Sequence, residues 1–317
     1  MTLSEFLKLS MVELELEKEM VSLISARDLE RLKQKIKAID LHSLIRICIK
    51  NKAINVICQH TVFDEYWNAI WKKCGPTNHD TNVPIEYFPI NTVCTFDLIK
   101  GFYVYEQYRK LVNENETSAA ILIAAKEYLE FSAELGCFFA LNALCYHGLR
   151  ILHEATDSHE VEALFTKILA YASHAATLHW TPGYFLLGNV CDAIMDCATN
   201  MVDEYGSLNK KLLLSDALRA LTIAQKLEPY SSSMQHNAYQ GKSIQEASGG
   251  KFVDWFQFKR YIETKAKIKI DATERERIYQ EASSTVDGIL SQYSLNIAAS
   301  VPNELQVDDT PMVKRSL

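Results

Sequence analysis

Histidines and acidic residues are the side chains with which this sequence could do metal or acid-base chemistry. Five histidines lie close together in the chain: His147, His153, His159, His174 and His179. No two of them are four residues apart, so no helix would place two imidazoles on one face as a zinc site requires. Asp192 and Asp196 are one helical turn apart, but two carboxylates act as acid and base only where one is desolvated. We expect that pair on an exposed helix face and predict no metal site.

Sequence motifs that bind nucleotides, hold catalytic zinc or activate a serine are absent. The chain contains no GxGxxG, no GxxxxGKS/T, no HExxH and no GxSxG. Its eight cysteines form no CxxC pair, and we expect most of them to be reduced thiols buried as small apolar residues. The sequence therefore predicts no cofactor and no catalytic residue. An enzyme of an unrecognised class stays open as an alternative.

A short segment towards the C-terminus combines aromatic and basic side chains that could contact phosphates or a membrane surface. Trp255, Phe256 and Phe258 precede Lys259 and Arg260. The whole chain has 33 Lys and Arg against 40 Asp and Glu, a net charge of −7, which repels polyanions. We therefore expect a solvated helix face or an acidic protein partner here, and no nucleic acid.

The chain has neither the apolar run of a membrane span nor the start of a classically secreted protein. No apolar stretch approaches the roughly 18 to 20 residues that cross a bilayer. Glutamates at positions 5, 13, 15, 17 and 19 stand where a signal peptide would be cationic. We expect a cytoplasmic protein.

The elements that position these side chains are predicted to be helices throughout. Only 11 glycines and 7 prolines occur in 317 residues, too few turn formers for a sandwich or barrel of many short strands. Apolar residues recur at every third or fourth position from 11 to 73 and again from 95 onward. The fold class we predict is all-α.

Proline and glycine mark the boundaries between the predicted segments. Three of the seven prolines and Gly75 fall between residues 74 and 94. The predicted organisation is an N-terminal helical segment over 1–75, a Pro-rich loop over 76–94, helical repeats over 95–270, a C-terminal helix over 271–297 and a disordered tail over 298–317. Within the repeats, helices are expected at 95–112, 118–135, 137–152, 159–178, 182–203, 208–227, 232–247 and 252–268.

An internal repeat lies within the helical region. The segment from Tyr128 to Leu144 aligns without a gap on Tyr171 to Leu187, 43 residues later. A looser third copy aligns Ala224 with Ala176, a further 48 residues on. In each copy small residues fall where the two helices of a hairpin must approach closely.

The repeated residues resemble the tetratricopeptide and Sel1-like repeat families. The resemblance is carried by Ala133-x-x-Gly136 with Ala140, and by Ala224-x-x-Leu227-x-Pro229. The period is longer than the ~34 residues of a tetratricopeptide unit. The resemblance implies a TPR/Sel1-like helical-hairpin solenoid, with the N-terminal segment as a helical cap on its apolar end.

Solenoids of this kind bind protein partners on the concave surface lined by the first helix of each pair. If Leu144, Leu187 and Asn237 are equivalent buried positions, polar and aromatic side chains face that surface. The predicted partner-binding residues are Asn142, Tyr146, Arg150, Asn189, Asp192, Gln235, Tyr239 and Lys242. Tyr and Arg often dominate binding energy at interfaces, so this composition favours a protein ligand.

The segment from Asp40 to Trp71 resembles an F-box, in which a Leu-rich helix pair and a Trp dock on a ubiquitin-ligase adaptor. It lacks the leading Leu-Pro pair and has Lys37-Ala38-Ile39 there. The resemblance implies an adaptor that joins a host ubiquitin ligase to a client protein. The other interpretation is the helical cap of the solenoid.

As a whole, the chain resembles bacterial effectors of the Legionella type, and among them the metaeffectors of the MesI type. Glu274, Glu276 and Glu281, which precede a polar C-terminus, resemble the acidic patches of type IV secretion signals. The resemblance implies delivery by a type IV system into the host cytosol. It also implies that the chain binds and regulates another effector, such as the toxic effector SidI. The function we predict is a protein–protein interaction module without catalytic activity.

Overall fold

The computed structural model describes residues 2–74, 95–113, 119–154, 158–178, 181–200, 210–227 and 272–292. Within these ranges the chain forms helices and no β-strand, which confirms the predicted all-α fold class. The predicted loop at 76–94, the predicted helices at 232–247 and 252–268, and the predicted tail at 298–317 lie outside the described residues.

Residues 2–74 form six short α-helices. They are α1 (Leu3–Phe6), α2 (Met11–Ser25), α3 (Leu29–Ala38), α4 (Leu41–Lys50), α5 (Lys52–Cys58) and α6 (Asp64–Cys74), with a 3₁₀ turn at Thr61–Phe63. Capping residues explain why a long apolar-periodic stretch divides into short helices. Asp28, Asp40 and Asn51 each accept backbone N–H groups at the start of α3, α4 and α5, which satisfies donors that the helix itself leaves unpaired.

The apolar faces of α2 to α6 form one core. Its most deeply buried side chains include Met20, Leu32, Leu44, Phe63 and Trp67. The Trp67 indole N–H donates to the Cys58 carbonyl oxygen over 2.7 Å. Leu44 and Trp67, two residues of the segment that resembles an F-box, are each only 1% exposed in this core.

Seven longer helices follow the N-terminal unit among the described residues. They are α7 (Phe96–Asn113), α8 (Ala119–Glu134), α9 (Phe138–Glu154), α10 (Ser158–Thr177), α11 (Thr181–Asn200), α12 (Lys210–Leu227) and α13 (Ala272–Gln292). From α7 to α12 each helix packs against the next, and α13 packs against α12. In addition, α9 contacts both α7 and α11. The helices therefore stack as hairpins in two layers, one with α7, α9 and α11 and the other with α8, α10 and α12.

This arrangement confirms the predicted helical-hairpin solenoid. The bounds of α7 to α12 lie within a few residues of the helices predicted from the sequence. Counted from α7, α9 and α11 are first in their pairs, whereas the aligned repeat segments span α8 with α9 and α10 with α11. That these hairpins are tetratricopeptide or Sel1-like units in the strict sense stays a prediction.

Small residues lie where the stacked helices approach most closely. A Cβ added to Gly183, at the start of α11, would lie 2.1 Å from the carbonyl oxygen of Ala175 in α10. Ala140 occupies the corresponding place at the start of α9 and is fully buried. Gly136 ends α8 with a φ of 79°, a left-handed conformation that favours glycine, and so permits the tight turn into α9.

The N-terminal unit is fixed to the solenoid through α7. The ammonium group of Lys100, a residue only 4% exposed, donates to Asn55 Oδ1 and to Asp97 Oδ1, each over 2.7 Å. Trp71 and Leu98 pack against both the N-terminal core and the solenoid core. The six short helices thus cover the first end of the stack, as predicted for a cap.

A second contact joins α1 to the same junction. Phe6 is fully buried and packs edge-on against His42 and Tyr128, with ring centroids 5.9 and 5.5 Å away. Arg46 Nη1 lies 3.4 Å from His42 Nε2 and donates to Glu13 Oε1 over 3.0 Å. Since a guanidinium group can only donate, Nε2 is the acceptor, and Nδ1–H donates to the Tyr103 hydroxyl oxygen 2.6 Å away. These contacts fit a neutral His42 imidazole.

We first test the close helix contact with two glycine substitutions. Gly183→Ala should lower the free energy of unfolding by about 1–3 kcal/mol, because its Cβ meets backbone atoms that cannot move freely. Gly288→Ala is the matched control: no atom lies within 4 Å of the added Cβ, so it should raise stability by about 0.5–1 kcal/mol. Urea unfolding followed by circular dichroism measures the free energy of unfolding of both variants. An equal gain in stability in the two would contradict the close contact between Gly183 and Ala175.

We next test His42 by its effect on the pH dependence of stability. Desolvation and then the Arg46 charge lower the pKa of His42 below its ordinary value of 6.5. The unfolded chain therefore binds this proton first as the pH falls, and the His42 contribution to stability is lost below about pH 6.5. His42→Gln should lose less stability than the wild type between neutral and acidic pH.

The control for this prediction is His60→Gln, a change at an exposed histidine, which should keep the wild-type pH dependence. Urea unfolding at a series of pH values gives the three curves. Identical slopes for the wild type and His42→Gln would show that the His42 network does not govern acid stability.

Candidate protein-binding surface

Five of the eight predicted partner-binding residues fall on adjacent helices of one layer. Asn142, Tyr146 and Arg150 lie four residues apart on α9, so they share one face of that helix. Asn189 and Asp192 lie on α11, which contacts α9. We call these five residues the polar row. Gln235, Tyr239 and Lys242 lie outside the described residues.

The polar row is accessible to a partner. Tyr146 is 52% exposed and Arg150 is exposed, whereas Asn142, Asn189 and Asp192 are half-buried. The adjacent Leu144 and Cys145 point into the core. The Tyr146 phenol is neutral at ordinary pH and can donate and accept hydrogen bonds. The row can thus offer donors and acceptors from rigid helices.

A series of aromatic rings connects α6, α7 and α9 beside the polar row. Trp71 packs edge-on against Phe102 at 5.4 Å, and Phe102 packs edge-on against Phe139 at 5.6 Å. Tyr105 stacks on Phe139 at 5.8 Å and lies 5.6 Å from Tyr108. We call these five residues the aromatic row. Burial raises the pKa of Tyr105 to about 12, so its phenol stays protonated.

The aromatic row was not identified from the sequence. The repeat alignment began at Tyr128 and therefore excluded α7, although α7 is the first helix of the stack. The signal available in the sequence was the cluster of Tyr103, Tyr105 and Tyr108 within a single predicted helix.

An apolar cavity of about 40 Å³ opens at the N-terminal end of the aromatic row, between α4, α6 and α7. Its lining consists of Leu41, Ile70, Trp71, Ile99, Phe102, Tyr103 and Glu106. Glu106 Oε1 accepts a hydrogen bond from Arg109 Nη1 over 2.9 Å, and its side chain is 30% exposed. A carboxylate thus lies at an otherwise apolar cavity.

The described residues show no grouping of three or more His, Cys, Asp or Glu side chains that could hold a metal ion. His147 lies on α9 and His174 on α10, on separate helices. Asp192 is half-buried, and the structure gives no side-chain position for Asp196. In the part of the chain that the structure describes, no helix combines the length and apolarity needed to cross a membrane.

The glutamates compared above with a secretion signal lie on α13. Arg277 pairs with Glu274 over 2.6 Å and also with Glu281. Glu281 is in addition 3.6 Å from Arg219 on α12. Two of the three acidic groups therefore take part in ion pairs on a packed helix. The basic segment at 255–260 lies outside the described residues.

Comparison with solved structures confirms the resemblance in fold to MesI. The crystal structure of MesI (Lpg2505) from Legionella pneumophila matches with a TM-score of 0.64 at 16% identity, over 87% of this chain and 97% of that chain. A structure described as a Legionella pneumophila effector, Lpg2505, matches with a TM-score of 0.60 at 16% identity, over 84% and 94% of the two chains. At this identity the likeness shows a common fold.

Comparison of the sequence itself gave one further result. No curated protein matches it at a significant level. Residues 32–262 match the model of DUF5630, described as a family of unknown function. Because this match spans more than half of the chain, the protein belongs to the DUF5630 family.

Proposed function

We propose that this protein is a binding module that holds another protein against the layer formed by α7, α9 and α11, without catalytic chemistry of its own. The observation that carries the proposal is the exposure of Tyr146. A tyrosine that is 52% exposed between polar residues on a rigid helix is the type of side chain that anchors protein interfaces.

The proposed surface extends over several helices and has only a small cavity, which favours a protein ligand over a small molecule. The polar row lies on α9 and α11, and the half-buried members of the aromatic row, Trp71, Tyr105 and Tyr108, lie on α6 and α7, whereas Phe102 and Phe139 are buried in the core. The cavity at their end measures about 40 Å³, far below the ~300 Å³ of an ordinary small-molecule pocket. An enzyme would need paired titratable groups in an enclosed pocket, and the lining of this cavity contains a single carboxylate.

The chemistry of the polar row fits a specific and mostly neutral contact. It contains one cation at Arg150, one anion at Asp192, two amides and one phenol. Amides and phenols donate and accept hydrogen bonds, which enforces a defined orientation of the partner. A stable complex needs about 800 Å² buried on each partner, so the row would form the centre of a larger interface.

The partner we propose is another bacterial effector, and the role is that of an effector or metaeffector delivered by a type IV system. The support is the likeness in fold to a Legionella pneumophila effector over nearly its whole length. SidI, the toxic effector expected from the resemblance to MesI-type proteins, is one candidate ligand. At 16% identity the surface side chains of the two proteins largely differ, so other effectors belong in the same assay.

The test is to identify the partner by affinity purification from the native cell and then to titrate it with variants. Changing Asn142, Tyr146 and Arg150 together to Ala should weaken binding about 30-fold or more, because truncating an interface anchor costs about 2 kcal/mol. Isothermal titration calorimetry measures the affinity, and thermal unfolding verifies that the variant is folded.

Leu122→Ala is the control for this experiment. Leu122 is 59% exposed and lies on α8, in the other layer, so its removal should leave the affinity unchanged. A folded triple variant that binds as tightly as the wild type would place the interface elsewhere on the molecule.

A further inference from the structure

Two cysteine thiols of the N-terminal unit lie in direct contact inside its core. Cys48 on α4 donates to the sulfur of Cys58 on α5, and the two Sγ atoms are 3.6 Å apart. Both residues are free thiols, 2% and 0% exposed. The sulfurs of a disulfide bond are about 2.05 Å apart, so closing the bond requires a movement of about 1.5 Å. The packing of α4 on α5 has therefore brought together the two atoms that a disulfide would join.

The two thiols differ in how firmly their part of the chain is held. Cys58 is the last residue of α5, a helix of only seven residues, and the ends of short helices open locally more often than packed interiors do. Cys48 lies three residues before Asn51, which caps the start of α5 and donates to Glu17 Oε1 on α2 over 2.9 Å. Local opening therefore exposes Cys58 before it exposes Cys48.

While the core is closed, the pair is protected from reaction. The hydrogen bond with Cys58, and then burial, raise the pKa of Cys48, so its thiol stays protonated at ordinary pH. Oxidants react with thiolates rather than thiols. The Trp67 indole N–H also holds the Cys58 carbonyl oxygen over 2.7 Å. Reaction therefore begins when the C-terminal end of α5 leaves the core.

We infer that Cys48 and Cys58 are a redox-responsive pair, which hydrogen peroxide converts to a disulfide bond that joins α4 to α5. The exposed Cys58 thiol loses its proton and its sulfur attacks one peroxide oxygen. The O–O bond breaks, which leaves a sulfenic acid on Cys58 and a hydroxide that takes up the proton to become water.

The second step takes place when α5 closes again. The Cys48 sulfur attacks the Cys58 sulfur, the S–O bond breaks, and the departing hydroxide takes the Cys48 proton and leaves as a second water. Two thiols and one peroxide thus give one disulfide and two waters. The sulfurs are oxidised and the two peroxide oxygens are reduced.

The disulfide would stabilise the part of the N-terminal unit on which α7 rests. Asn55 on α5 accepts a hydrogen bond from Lys100 on α7 over 2.7 Å. Trp67, which binds the Cys58 carbonyl, packs on Phe96 of α7 with ring centroids 4.6 Å apart. A cross-link restricts the unfolded chain, so the oxidised protein should resist unfolding more than the reduced protein.

The experiment treats the folded full-length protein with hydrogen peroxide and then blocks the remaining thiols with iodoacetamide. Its intact mass should fall by two hydrogen atoms before the blocking step. Trypsin cleaves after Lys and Arg, so digestion without reduction should give peptide 47–50 linked to peptide 53–72. The urea midpoint should rise on oxidation and return to its first value when dithiothreitol reduces the bond.

Alanine variants separate the roles of the two thiols. In Cys48→Ala, the reaction should stop at the sulfenic acid of Cys58, which dimedone traps as a stable adduct. In Cys58→Ala, the dimedone adduct should be lost, because Cys48 stays protected. Cys145→Ala is the matched control: Cys145 is a buried thiol of α9 that donates to the Ile168 carbonyl oxygen over 3.7 Å, so this variant should form the linked peptides as the wild type does.

The absence of the linked peptides from peroxide-treated wild type that circular dichroism shows to be folded would overturn the inference. This measurement needs no variant, so it decides the question even where an alanine variant does not fold. Linked peptides without a rise in the urea midpoint would also overturn it, because the bond would then not stabilise the unit. A dimedone adduct on Cys48 but not on Cys58 would contradict the order of the two steps.

Discussion

The structure depends on the close approach of successive helices, each of which buries its apolar side only against its neighbours. Gly183 and Ala140 begin α11 and α9 at positions where a larger side chain would meet the preceding helix. These contacts use the sides of α9 and α11 that face α8, α10 and α12. In the part of the chain that the structure describes, Tyr146 and Arg150 stay exposed on α9, whereas Asn142 and Asn189 are half-buried. The same packing constraint therefore creates both the fold and the surface.

The end of a helical stack requires a cover, and here the cover also shapes the surface. The short helices of residues 2–74 meet α7 through buried Lys100 and through Trp71, which packs on Phe102. Short helices at varied angles do not fill the space beside a long straight helix as completely as another long helix would. The cavity between α4, α6 and α7 lies at this junction. It therefore follows from the change from short helices at varied angles to long stacked helices.

The sequence was sufficient for features that depend on local periodicity. Apolar spacing predicted α7 to α12, and small residues such as Ala176 and Gly183 predicted where they touch. Contacts between distant residues left no local signal: His42 with Tyr103 and Glu13 with Arg46 are 61 and 33 residues apart. The F-box resemblance stays a prediction for a related reason. Leu and Trp at helical spacing give the same sequence pattern whether they face a partner or, like Leu44 and Trp67, a core.

The likeness to MesI at low identity indicates that two chains can share this fold while their surface side chains differ. A solenoid needs only apolar and small residues at its helix contacts, so two chains can share 16% identity and still stack alike. Exposed positions on the helices need not be apolar or small, since changing them costs little stability. The partner that we propose for this chain would therefore be specified by its own exposed side chains. On the described surface these include the phenol of Tyr146 and the guanidinium of Arg150.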